Sequence, residues 1–86
     1  MGNKIILSFQ PFILRQDIAV VNAQGNVLYQ TTAESNIDDI MSIMRGLVVE
    51  YQVKDIIMHG SKDILQQYMA TLKTNYDFKD LNIVIV

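Results

Sequence analysis

The residues best equipped for chemistry gather in one stretch, Lys54-Asp55-Ile56-Ile57-Met58-His59-Gly60-Ser61-Lys62, where an apolar run opens into a helix start. His59 is the chain's one histidine. Imidazole changes charge near neutral pH and binds transition metals. Ser61 and Lys62 open the following helix, where free backbone amides can receive a phosphate or another anion. No glycine-rich run of the phosphate-loop kind precedes them, so plain helix capping is the simpler account. Gln10 ends the first apolar segment, and if the two segments are neighbouring strands it comes to lie near His59. Gln10, His59, Gly60, Ser61 and Lys62 would then line a crevice at strand ends, where open α/β sheets bind ligands.

Set against that crevice is the ordinary reading of each residue. A lone histidine with no second histidine, cysteine or nearby acid is usually just a strand-end residue. No serine, threonine or lysine has a base placed beside it by a nucleophile motif, so no catalytic residue is assigned. Asp38, Asp39, Asp77 and Asp80 lack the spacing of a calcium loop. They read as capping and solvating residues, and neither a metal nor a cofactor is expected.

Composition narrows the classes further. The 86 residues suit a single domain spanning 1–86, and with half of them hydrophobic a core forms without cross-links. There is no cysteine, which excludes a disulfide scaffold and a thiolate zinc site. Seven basic and nine acidic residues give a formal charge of -2 with no basic cluster, so nucleic acid is an unfavoured partner. No apolar run approaches the ~20 residues of a membrane span. The first residues lack the pattern of a secretory signal, so the cytoplasm is the expected location.

The elements that would position these residues follow from periodicity. Lys4 to Phe9 alternates as a strand until Gln10-Pro11 stops it. Phe12, Ile13 and Leu14 sit in the connection and are apolar enough to suggest a contact surface. Asp17 to Asn22 and Asn26 to Thr32 form a hairpin about Ala23-Gln24-Gly25. Ser35-Asn36 offers an N-cap to a helix whose stripe is Ile37, Ile40, Met41, Met44, Leu47, Val48 and Tyr51. Gly46 within it costs roughly 1 kcal/mol relative to alanine, which suggests either a close approach to another backbone or mere sequence drift. Ile56, Ile57 and Met58 read as a strand covered on both faces. Ser61 caps a second helix buried through Ile64, Leu65, Tyr68, Met69 and Leu72, with Asn75 as its stop. Asp77 to Asp80 is a loop into a last strand, Leu81 to Val86, that carries no charge.

Three strands, helix, strand, helix, strand, joined by right-handed crossovers, give a mixed sheet of order 3-2-1-4-5. The segments Ile6-Leu7-Ser8-Phe9-Gln10-Pro11-Phe12, Ile18 to Asn22 with Gly25 to Tyr29, and Val53 to Met58 resemble, in that order, the ribonuclease H-like superfamily core in its Holliday-junction resolvase branch. The resemblance implies an α/β fold and a nuclease that holds two Mg²⁺ ions on carboxylates of the first strand, the fourth strand and a C-terminal helix. Here Gln10 stands at the first of those places and Met58-His59 at the second, and an amide and an imidazole are poor Mg²⁺ ligands. The resemblance is thus to a degenerate member. Actin-like ATPases share the same core but bring glycine-rich phosphate loops that this sequence does not show.

The last strand would lie at a sheet edge, and an uncharged edge invites another strand. Ile83, Val84, Ile85 and Val86, with Phe12 to Leu14, are the expected interaction surface. The function this supports is a non-enzymatic interaction or accessory module, paired with itself as a homodimer or with a protein partner. Two alternatives stand beside it: a small metal-dependent resolvase-like enzyme, and a small-ligand sensor at the Gln10/His59 crevice. The Ile-, Asn- and Gln-rich composition would suit a phage or bacterial product.

Overall fold

The computed structural model describes residues 2–10 and 15–86. Seven elements run in the order β1 (Lys4–Ser8), β2 (Arg15–Val21), β3 (Val27–Glu34), α1 (Ile37–Tyr51), β4 (Asp55–His59), α2 (Lys62–Thr74) and β5 (Asn82–Ile85). They build one mixed sheet, β3-β2-β1-β4-β5, in the order expected from the pattern. The hairpin strands β2 and β3 are antiparallel to their neighbours, while β4 and β5 are parallel to β1 and to each other.

The hairpin closes as its sequence requires. Gly25 takes a φ of +85°, a region costly for any residue with a Cβ. The Asn22 side chain accepts from the amides of Gln24 and Asn26, which holds the turn from inside. Helix α1 begins at Asn36, whose side chain accepts from the Asp39 amide at 2.8 Å. Asp39 reaches back to accept from the Glu34 amide at 2.7 Å, so two donors at the entry are satisfied. The helix ends on Gln52 in the left-handed region, φ 53°.

Both crossovers, β3-α1-β4 and β4-α2-β5, step the same way across the sheet, and right-handed connections then bring both helices to one face. The core agrees. Ile5, Leu7 and Phe9 from β1 and its exit, Ile18 and Val20, Ile56 and Met58, and Ile83 form one buried cluster with Ile40, Met44 and Leu47 of α1 and Leu65 and Leu72 of α2. β1, β2, β4 and β5 contribute alternate residues to it, as a two-residue repeat demands, while β3 contributes Ala33 alone.

The residues between them point to the opposite face. Ile57, the middle of the apolar run, is only half-buried there, so β4 is not covered on both sides as the sequence suggested. Among the described residues, no helix covers that face. Gly46 also departs from expectation: it is exposed, and a Cβ there would meet nothing within 4 Å. Phe78, read as part of a loop, is fully buried. Its turn is held by Asn75, whose carbonyl accepts from the amides of Phe78 and Lys79.

Candidate functional site at the strand ends and the sheet edge

The crevice residues come from the carboxyl ends of β1 and β4, which the parallel pairing brings side by side. Ser8 is the register partner of His59, and the Phe9 amide donates to the His59 carbonyl at 2.8 Å. Gln10 follows directly, so Gln10, His59, Gly60 and Ser61 are neighbours as expected.

Their roles are more structural than the sequence suggested. The Gln10 amide donates to Gln16 Oε1 at 2.6 Å and its carbonyl accepts from Gln16 Nε2 at 3.2 Å. Gln16 also donates to the Ser35 hydroxyl, so one buried carboxamide ties the exit of β1 to the turn before α1. Gly60 takes a φ of +140°, and a Cβ there would lie 2.6 Å from the Phe9 carbonyl oxygen. It is the close packing of two strand ends that demands glycine. Ser61 holds the N-cap position of α2 without a side-chain hydrogen bond, contrary to its expected capping role. Lys62, the first helical residue, is exposed.

The register adds two residues that sequence reasoning passed over. Asp17 is the partner of Ser8 across the β1/β2 pair, so Asp17, Ser8 and His59 form a row on the uncovered face. Only the pairing register could have revealed it. Among the described residues, no hydrogen bond joins the Ser8 hydroxyl to His59 or Asp17, and no group of three or more acids and histidines is placed to hold a metal ion. The row is polar without being a nucleophile-base pair.

Beneath the crevice, Tyr68 of α2 meets Phe9 edge-on with ring centroids 5.8 Å apart. Burial pushes its phenol above the ordinary value of 10.0. A separate cavity of about 430 Å³ is lined by Arg15, Glu34, Ser35 and Asn36. From the sequence Ser35 and Asn36 were read only as a helix cap and Arg15 and Glu34 were not singled out, because the four converge only when β2, β3 and the start of α1 are assembled.

The expected interaction surface is divided by the fold. Phe12, Ile13 and Leu14 lie outside the described residues. On β5, Val84 and Val86 are exposed, at 38% and 59%, whereas Ile83 belongs to the core and Ile85 packs against it. β5 does stand at the sheet edge. Its inward amides include those of Asn82 and Val86, which donate to the carbonyls of Lys54 and Met58. Alternation turns the backbone groups of Ile83 and Ile85 outward.

No family model matches the chain, and no curated protein does. The fold is nonetheless shared. The structure is similar to the crystal structure of a Bacteroides thetaiotaomicron VPI-5482 protein with an actin-like ATPase fold and unknown function, with a TM-score of 0.69 and 18% identity. The match covers 99% of this chain and 32% of that one, so the chain spans about a third of its neighbour's length. The likeness takes in nearly the whole of this chain's five-stranded sheet of order 3-2-1-4-5 and its two helices. Among the described residues, no helix is long and apolar enough to cross a membrane.

Proposed function

We propose that this chain is a protein-interaction module whose β5 edge accepts a strand from a protein partner or from another copy. One observation carries the reading: β5 ends the sheet, and the segment from Leu81 to Val86 has no charge along it. Exposed edges are usually guarded by lysine, proline or a bulge, because unpaired amides and carbonyls recruit strands. A paired edge needs no such guard. Strand addition gains affinity from main-chain hydrogen bonds and specificity from alternate side chains, here Val84 and Val86.

The resolvase-like reading fares worse on the donor set. The ends of β1 and β4 present Ser8, Gln10 and His59, with Asp17 the one acid in register with them. Two clustered Mg²⁺ ions need several carboxylates to offset their charge. Cleavage of branched DNA with Mg²⁺ or Mn²⁺, lost in His59→Ala, would favour that enzyme over the module.

The test of the module is capture from an extract of the cells that make it, with wild type and Ile85→Pro as paired baits. Proline removes the outward amide at position 85 and leaves the inward ladder its donors. The expected result is a protein, or a second copy, retained by wild type and lost with Ile85→Pro while circular dichroism is unchanged. Retention of the same protein by both baits would contradict edge pairing.

A further inference from the structure

The face of the sheet away from the helices carries a pattern that bears on who the partner is. Across the middle of that face the register aligns Ala19, Ile6, Ile57 and Val84 on four successive strands. Ile6, Ala19 and Ile57 are half-buried and Val84 is exposed, although none belongs to the helix-side core. One residue pair further along, Lys4 and Asp55 are register partners on β1 and β4. The centre of the apolar row falls on the line between these two strands.

We infer that this face docks against the same face of a second copy, about a two-fold axis running along the strands between β1 and β4. The inference rests on the interaction-module reading and adds a surface distinct from the β5 edge. The axis lays each β1 over the partner's β4, so Ile6 meets the partner's Ile57, Ala19 meets the partner's Val84, and Lys4 meets the partner's Asp55. Moving the axis onto β1 would set Lys4 against its own copy, and moving it onto β4 would do the same for Asp55. Like charges set directly opposite repel, so the charge pattern selects the line between the strands. Sheets stacked face to face keep their strands within about 30° of each other, which this axis permits. Four strands of half-buried side chains make a small interface, so the association belongs to the weak class and is read at roughly tens to hundreds of micromolar chain.

The experiment is sedimentation equilibrium of the full chain as a function of concentration, with circular dichroism and thermal melting to verify the fold of each variant. Wild type should sediment as a monomer at low concentration and approach twice that mass at high concentration. Ile57→Glu should remain a monomer throughout. Lys4→Asp and Asp55→Lys should each weaken association by about tenfold or more. The double variant Lys4→Asp/Asp55→Lys should recover it; because Lys4 and Asp55 are also register neighbours within one chain, the comparison is made where each single variant retains the circular dichroism and melting curve of wild type. A monomer at every concentration would overturn the proposal. So would a dimer that survives Ile57→Glu and dissolves with Ile85→Pro, which would assign self-association to the edge instead. Failure of the double variant to recover would overturn the axis.

Discussion

At Gly60 the backbone sits at φ +140° against the Phe9 carbonyl, and no residue with a Cβ fits there without moving β1 from β4. Gly60→Ala is expected to cost about 2 kcal/mol or more, read as a lower denaturant midpoint with an unchanged slope. Gly46 is the opposite case, an exposed helical glycine with open space around it. Gly46→Ala should raise stability by about 1 kcal/mol in the same measurement, since alanine loses less entropy on becoming helical. Removing the α1 cap through Asn36→Ala should cost about 1 kcal/mol. Gln16→Leu should cost more, about 1–3 kcal/mol, because it strands the amide and carbonyl of Gln10 near the core. Tyr68 supplies the pH dependence. Burial raises its folded pKa above the unfolded value, so the fold favours the protonated phenol. Its contribution is complete below about pH 10 and is lost as pH rises through the folded pKa. Melting temperatures followed from pH 8 to 11 should therefore fall more steeply for wild type than for Tyr68→Phe.

At the scale of elements, the order and pairing of the strands were legible because periodicity and turn chemistry agree along most of the chain. Gly25 marked the hairpin, Asn36 with Asp38 and Asp39 marked the start of α1, and the helical stripes gave the buried faces. β4 was misread in an instructive way. Ile56, Ile57 and Met58 look alike in sequence, yet only Ile56 and Met58 meet the helices, and Ile57 supplies the uncovered face. An unbroken apolar run reports that both sides of a strand are apolar, not that both are covered within one chain. Phe78 was missed because the Asn75 turn that swings it inward is built from hydrogen bonds of the loop, which have no periodicity. The candidate crevice was half legible. Adjacency of β1 and β4 could be argued from topology, whereas the row of Asp17, Ser8 and His59 depends on register, and the Gln16 clamp on a tertiary contact.

As a whole, the described residues form a sheet with one face covered by two helices, the other face without a helix, and an uncharged strand at its edge. A fold shared with an actin-like neighbour at 18% identity fixes the architecture and leaves activity to the site itself. Among the described residues, the strand ends present Ser8, Gln10 and His59 with Asp17 in register beside them, and no hydrogen bond joins the Ser8 hydroxyl to His59 or Asp17. The uncovered face carries the aliphatic row Ala19, Ile6, Ile57 and Val84 among polar residues, and the β5 edge carries outward backbone groups, both materials of association. Amide exchange at Ile83 and Ile85 tests this most directly, measured residue by residue in the dilute chain and in its edge-paired assembly with the protein that wild type, but not Ile85→Pro, retains. In the dilute chain both amides should exchange freely while those of Asn82 and Val86 stay protected, and in the assembly Ile83 and Ile85 should slow by about tenfold or more. Equal rates for Ile83 and Ile85 in the two states would contradict the claim that the edge is where this protein binds.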